Sequence, residues 1–273
     1  MRVLKNIFDD LENQRREAYV RAVLRAAEAN DVVGYIGSRV PVALLHAMGL
    51  MSLPVYGVDG NILEFSVEHG LCSVVDATLT YAKTDRCPLI HSSRMIVVDN
   101  SCPIMAREMS RLTEKYIYIY NANEPDSEKC LASKLKEIYG CILEEGAMGT
   151  VSADLDECRA LLHRLKFYSD LSGLQIYIME YYLNFLPLSE RLSVLREISA
   201  GAAFSKTPVD FTPVRVQSGA GIYRRIDRIM AGRSYRIIEE GCCAEGAHYD
   251  FVYEDCPFAE GTKISYDILR EGN

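Results

Sequence analysis

The 273-residue sequence lacks the features that mark several large classes of protein. It has no stripe of lysine and arginine with interleaved aromatic residues, and its net charge is −8, so nucleic acid is not expected as a partner. No apolar run reaches the roughly 18 residues of a membrane-spanning helix, so no membrane association is expected. Residues 1–19 are amphipathic and charged, without the uncharged core of a signal peptide, which leads us to expect a cytoplasmic protein.

The sequence does contain an ordinary globular composition and an unusual number of cysteines. With 49% hydrophobic and 25% charged residues, the chain is expected to fold around a sizeable core, as one large domain or two smaller ones. Disulfides are rare in the cytosol, so the nine cysteines need another explanation. None of them are spaced as CxxC, which excludes zinc-ribbon and ferredoxin-type patterns, although cysteines far apart in the chain can still meet in the fold. Cys130, Cys141 and Cys158 fall in helical sequence and are expected to be small buried hydrophobic residues.

Nucleotide-binding motifs are also missing. Gly34 and Gly37 do not complete a GxGxxG fingerprint, and the glycine-rich turn at 217–221 lacks the lysine and serine that end a Walker sequence. The sequence therefore gives little support to a dinucleotide site or an ATP site.

Strands alternate with helices in the first part of the chain. A helix over residues 3–29 precedes a short apolar strand at 32–36. A second helix begins near Pro41, and an extended segment follows at 53–56, so the order strand–helix–strand favours a parallel sheet. Ser38 lies at the turn between the first strand and the second helix, where its hydroxyl can either cap the helix or face a ligand.

Two strand-like segments lead to a cysteine that is followed by proline. Met95–Val98 runs through polar residues to Cys102 and then to a helical pattern. Residues 250–253 run in the same way to Cys256. Because open α/β sheets keep their ligands in the loops after the carboxyl ends of strands, we interpret the chain as two related lobes, each presenting a cysteine from a strand tip.

The rest of the pattern defines the expected fold. Cys72 opens a helix, and the positive end of the helix dipole favours the thiolate form that binds metals. The fold class is α/β, with two Rossmann-like lobes of mainly parallel strands joined by a helical segment, the second lobe being small. The expected domains are a first lobe at 1–125, a helical connector at 126–205 and a second α/β lobe at 206–273.

The order of these signals resembles that of the 2-hydroxyacyl-CoA dehydratase and benzoyl-CoA reductase subunits of the D-component type. The matching features of the first lobe are a glycine–tyrosine strand, a turn serine, a set of prolines and small residues, and two cysteines at helix starts (Gly34, Tyr35, Ser38, Pro41, Ala47–Gly49, Pro54, Cys72, Val97, Val98, Ser101 and Cys102). The leucine-rich 152–168 segment and the return to α/β at Val214 with Ser218–Gly219 also fit. The resemblance covers most of the chain and is more specific in the first lobe.

The resemblance implies a cofactor and its ligands. Such subunits hold one [4Fe–4S] cluster on three cysteines between two Rossmann-like lobes, which leaves one iron open. Carried over by position, Cys72 and Cys102 are the first two ligands. Cys256 is our choice for the third because its strand–cysteine–proline setting is like that of Cys102, with Cys87 and Cys243 as alternatives.

The resemblance also implies an activity and partners. The chain would be an iron–sulfur subunit of a lyase that dehydrates, or a reductase that reduces, an acyl-CoA thioester by radical chemistry with a low-potential electron. Ser38 would be catalytic, hydrogen bonding to the substrate or to an iron-bound water. The implied partners are the acyl-CoA substrate, an ATP-dependent iron–sulfur activator protein, and a homologous second subunit or a second copy of the chain.

Two departures from the family pattern leave alternatives open. The glutamate that many members carry two residues after the motif proline is replaced by Ala43, and the C-terminal lobe looks shorter than usual. Both departures favour a non-catalytic paralogue, which would use its cluster for electron transfer or for the assembly of a partner enzyme. A further interpretation is a metal-free Rossmann-like binding protein whose thiols are simply buried.

Overall fold

The computed structural model describes residues 3–57, 60–66, 71–217, 234–241 and 262–264. Its larger sheet has the strand order β2-β1-β3-β4, all parallel, with β1 at Val32–Ile36, β2 at Met51–Pro54, β3 at Met95–Asp99 and β4 at Tyr116–Tyr120. In the register of the sheet, Tyr35 lies opposite Pro54 on one side and Val97 on the other. The expected α/β architecture with a parallel sheet is therefore confirmed for this part of the chain.

Burial explains the sequences of these strands. Every residue of β1 and β3 is buried, which accounts for their almost uninterrupted apolar sequences. Strand β4 lies at the edge of the sheet, and its Tyr116 and Ile119 are exposed. The centre of the sheet is thus the β1–β3 pair.

Helices cover both faces of this sheet. One face carries α1 (Leu4–Glu28), α3 (Ser73–Thr84), α4 (Pro88–Ser92) and α5 (Pro103–Met109). Their apolar side chains pack on Ile36 and Val98, and we call this cluster the upper core. The opposite face, with Val33 and Val97, packs against α2 (Val42–Ala47) and α6 (Ser127–Tyr139). Alternate strand residues therefore enter opposite cores, as the two-residue period of a strand requires.

A helical cluster adjoins the sheet, as the helix-rich middle of the sequence predicts. It consists of α7 (Ala147–Tyr168), α8 (Gly173–Tyr182) and α9 (Leu188–Gly201), together with the first half of α1. Ile7, Phe8 and Leu11 of α1 pack among the leucines of α7 and α9. Further along α1, Ala18 and Ala22 belong to the upper core, so this one helix connects both units. Within the described ranges, no helix has both the length and the apolar character needed to cross a membrane.

Two features of the helical region differ from the prediction. The sequence predicts a helix to about residue 145, but α6 ends at Tyr139 because Gly140 adopts a left-handed backbone with φ +71°. The sequence also predicts a helix break at Gly149 and an N-cap at Ser152, but the next helix begins at Ala147 and contains both residues.

The three cysteines that were expected to be buried in helices follow this expectation in part. Cys158 on α7 is fully buried, as predicted. Cys141 is half-buried and lies beyond the end of α6, outside a helix, and Cys130 is exposed, so the prediction is wrong for both. For Cys130 the reason is helical geometry, since Leu131 and Leu135 are the residues of α6 that face the sheet.

The described part of the chain includes a second parallel sheet. Its order is β6-β5-β7, with β5 at Thr212–Gln217, β6 at Tyr235–Gly241 and β7 at Thr262–Ile264. As in the first sheet, the first strand in the sequence lies between the second and the third. The strand predicted at 249–253 lies outside the described residues, and β7 forms where the sequence favours a helix.

Arg236 connects the second sheet to the helical cluster. Its guanidinium is buried and donates hydrogen bonds to the carbonyl oxygens of Ser169 at 2.9 Å, Leu171 at 2.7 Å and also Lys166. These carbonyls stand at the end of α7, where a cation also complements the helix dipole. The guanidinium lies over the ring of Phe211, with 4.9 Å to its centre. One side chain therefore closes the end of a helix and fixes the position of β6.

Candidate functional site

The candidate site lies where the strand order of the larger sheet reverses. From β1 the chain crosses to β2 on one side, and from β3 it crosses to β4 on the other side. The loops that leave the carboxyl ends of β1 and β3 therefore diverge, and open α/β sheets bind their ligands at such a point. We call this region, formed by residues 37–40 and 99–102, the switch-point crevice.

Asp99 holds the two loops of the crevice together. Its buried carboxylate accepts hydrogen bonds from the backbone N–H of Arg39 at 2.7 Å and of Ser101 at 2.9 Å. Gly37 permits this arrangement, because its φ is +105° and a Cβ there would lie 2.2 Å from the Asp99 Oδ2. The glycine is thus required both by backbone conformation and by the close approach of the carboxylate.

Two serine hydroxyls belong to the crevice. The N-cap of α2 is Pro41, with no side-chain capping bond, so Ser38 does not cap this helix. Ser38 is half-buried in the turn, and its role towards a ligand stays a prediction. Ser101 Oγ is buried and has no hydrogen-bond partner among the described residues. A ligand in the crevice could satisfy this hydroxyl, since a buried polar atom without a partner is energetically unfavourable.

The structure brings Cys72 and Cys102 to the same face of the sheet. Cys72 is the N-cap of α3 and Cys102 is the N-cap of α5, so both thiols lie at the positive ends of helices. Cys102 Sγ accepts a hydrogen bond from the Met105 N–H at 3.4 Å. Both residues are half-buried against the upper core, where α3 packs against α5. The prediction that each cysteine opens a helix is confirmed.

Cys87 is not in a position to join them. It follows the far end of α3, a 12-residue helix that separates its two ends by about 18 Å. Burial raises the pKa of the Cys87 thiol, although the backbone N–H groups of Ile90 and Leu89 and the charge of Arg15 act in the opposite direction. In the part of the chain that the structure describes, no three His, Cys, Asp or Glu side chains are grouped closely enough to hold a metal ion. Cys72, Cys87 and Cys102 therefore do not form a set of three ligands.

The other two cysteines proposed for the third position, Cys256 and Cys243, lie outside the described residues. The third ligand therefore stays a prediction.

Asp99 and Ser101 were not identified as site residues from the sequence. The available signal was a polar triplet, Asp99 to Ser101, directly after the buried strand β3. The contact of Asp99 with a loop 60 residues away in the chain depends on the parallel pairing of β1 with β3, which local patterns do not specify.

Neither the protein-family models nor the curated proteins with which the sequence was compared contain a match to this chain.

Proposed function

We propose that this chain is the iron–sulfur subunit of a 2-hydroxyacyl-CoA dehydratase-like enzyme, built from two Rossmann-like lobes and a helical connector. The observation that carries the proposal is the position of Cys72 and Cys102 at two helix N-termini on one face of the sheet, with Cys102 at the end of the switch-point crevice. The shared order of the two sheets, with the first strand in the centre, supports a second lobe related to the first.

The two cysteines at the helix N-termini fit an iron–sulfur cluster in part. Thiolates are the ligands that such clusters require, and Cys72 and Cys102 are both half-buried at the N-termini of helices. Cys72 and Cys102 would hold the cluster together with a third cysteine, for which we propose Cys256. When bound, the cluster would supply the low-potential electron for dehydration or reduction of an acyl-CoA thioester.

The other residues of the crevice would position the substrate. Ser38 and Ser101 each offer a hydroxyl that can donate a hydrogen bond to a carbonyl oxygen or accept one from a hydroxyl group. Asp99 would fix the distance between the two loops and so between the two hydroxyls. We propose that the partners are a homologous second subunit or a second copy, and an ATP-dependent iron–sulfur activator that delivers the electron.

A non-catalytic paralogue is the second candidate, and one observation favours it. Ala43 stands where many related subunits carry a glutamate, and it packs against the helical cluster of α7 to α9. A carboxylate side chain at this position would enter an apolar contact. A cluster in this chain would then serve electron transfer or the assembly of a partner enzyme.

The proposal is tested by iron and acid-labile sulfide analysis of protein purified without oxygen. We expect about four of each per chain and broad brown absorbance, as for a [4Fe–4S] cluster. Cys72→Ser and Cys102→Ser should each lose the iron, whereas Cys130→Ser, at an exposed position on α6, serves as the matched control and should retain it. A well-folded protein without iron and sulfide would overturn the proposal.

Two further measurements separate the remaining alternatives. Loss of iron in Cys256→Ser but not in Cys87→Ser would identify the third ligand as proposed. Dehydration of a 2-hydroxyacyl-CoA by the iron-loaded protein with an activator would reject the non-catalytic alternative. Retention of the cluster without any turnover would favour it.

A further inference from the structure

A second concave site lies at the opposite end of the larger sheet from the crevice. It is a cleft of about 460 Å³, within the range of small-molecule sites. Its walls come from the last turns of α1, from the α2–β2 connection and from residues 185–188 before α9. Gly49, Leu50 and Met51 in its lining lead into the amino end of β2, whereas the crevice stands at the carboxyl ends of β1 and β3. None of Ser38, Cys72 and Cys102 lines the cleft.

Apolar side chains form most of the cleft. The body of the cleft is enclosed by one side chain each from α1, β2, the segment before α9 and the start of α9 (Leu24, Leu53, Phe185 and Leu188). Such a surface suits a ligand with a hydrocarbon body, since burying that body removes apolar area from water.

The polar groups of the cleft include a cation with an unused donor. Arg21 donates from Nη2 to the Phe185 carbonyl oxygen at 2.7 Å and pairs through Nη1 with the exposed Glu17 at 3.6 Å, but its Nε is buried without a hydrogen-bond partner among the described residues. The other arginine in the lining, Arg25, already pairs with Asp31. Glu28, the acidic residue of the lining, is exposed.

A second cation lies close to the cleft, and unlike Arg21 it has no counter-ion in the described ranges. Arg191 is 1% exposed, and its Nε and Nη1 have no hydrogen-bond partner there. It is three residues beyond Leu188 of the cleft lining, on the same face of α9. A buried guanidinium without an anion is strongly unfavourable, so this position favours a negatively charged ligand nearby.

His46 connects the cleft with Arg191. Its ring lines the cleft, and Ser52 Oγ lies 3.4 Å from Nε2 and 3.5 Å from Nδ1. Burial and the nearby charge of Arg191 lower the pKa of His46 to about 3, so the ring is neutral at pH 7. A neutral imidazole offers one donor and one acceptor to a ligand without adding a competing charge.

We propose that this cleft binds a small carboxylate with an apolar body, such as a medium-chain fatty acid anion. The carboxylate would lie near Arg21 and His46, in the field of Arg191, and the hydrocarbon would lie between Leu24, Leu53 and Phe185. The site is separate from the crevice and does not depend on the presence of a cluster.

The direct test is calorimetry of the full-length protein with octanoate and with octanol, which has the same length but no charge. Octanoate should bind at least tenfold more tightly than octanol. Arg191→Met should weaken octanoate binding at least tenfold, whereas Arg196→Met on the same helix, whose side chain is exposed and paired with Glu157, should leave it unchanged. Equal binding of octanoate and octanol, or no octanoate binding at millimolar concentration, would overturn the proposal.

A second pair of variants avoids the buried positions. Leu24 and Val23 are neighbours on α1 with 53% and 49% exposure, but only Leu24 lines the cleft. Leu24→Glu should weaken octanoate binding several-fold by charge repulsion, and Val23→Glu should not. Equal effects of the two variants would contradict the assignment.

The cleft can also be tested apart from the cluster. Cys102→Ser should bind octanoate like the unmodified protein. Loss of iron without loss of octanoate binding would therefore leave this proposal intact, and loss of both would count against a separate site.

Discussion

Gly37→Ala should destabilise the protein far more than a single methyl group would suggest. An alanine at φ +105° is strained by roughly 1–2 kcal/mol, because a Cβ disfavours the left-handed region. The new Cβ would also lie 2.2 Å from the Asp99 carboxylate, which must move. Asp99 would then lose its bonds to the backbone N–H groups of Arg39 and Ser101, each contributing about 1.5–3 kcal/mol. The expected loss in the free energy of unfolding is therefore about 4 kcal/mol or more.

Alanine substitutions at two other glycines distinguish the cost of backbone strain from the cost of a steric clash. Gly49 has φ +73° but open space around its Cβ position, so Gly49→Ala should cost only the strain, about 1–2 kcal/mol. Gly149 lies inside α7 with open space and no positive φ, so Gly149→Ala should stabilise by about 0.5–1 kcal/mol. Urea unfolding followed by circular dichroism measures all three. If Gly37→Ala costs no more than Gly49→Ala, Asp99 does not lock the crevice loops as described.

Three further predictions concern buried ionisable side chains. The folded-state pKa of His46, about 3, lies below its ordinary value of 6.5. The unfolded chain therefore takes up this proton first, and the stability should decline from pH 6.5 towards pH 3 by up to about 1.4 kcal/mol per pH unit. His46→Leu should flatten this decline. Lys166→Met removes the buried ion pair with Glu180 at 2.8 Å and should lower the free energy of unfolding in urea by about 1.5–3 kcal/mol, the contribution of a hydrogen bond between charged groups. Arg236→Met should accelerate hydrogen exchange in β6 but not in β1; equal acceleration in both strands would contradict the connecting role of Arg236.

The strands and the parallel order of the larger sheet could be predicted because their signals are local. Val32–Ile36 and Met95–Val98 are apolar runs between polar turns, and a helical pattern separates each from the next strand. The end of α6 could not be predicted in the same way. Gly140 and Gly149 look alike in the sequence, yet the first ends a helix in a left-handed conformation and the second lies inside one.

In the candidate site, too, only the residues with local sequence signals could be predicted. Cys72 and Cys102 could be placed at helix starts because Gly70 and Pro103 are local signals for a helix boundary. The cleft could not be foreseen, since His46 and Arg191 lie on helices 145 residues apart in the chain and meet only through tertiary packing. Closeness in the sequence was also misleading for Cys87. It lies near Cys72 and Cys102 in the chain, but the length of a helix separates it from Cys72.

Helix α1 packs in both the upper core and the helical cluster, and this has a consequence for the synthesis of the chain. Its first turns, with Ile7, Phe8 and Leu11, pack among α7, α8 and α9, which are translated much later. A ribosome that adds about 5–20 residues per second needs roughly 6–24 s to proceed from the end of α1 to the start of α7. During that interval the apolar face of the emerging helix has no partner in the nascent chain. This face is therefore the segment that a ribosome-associated chaperone would cover first.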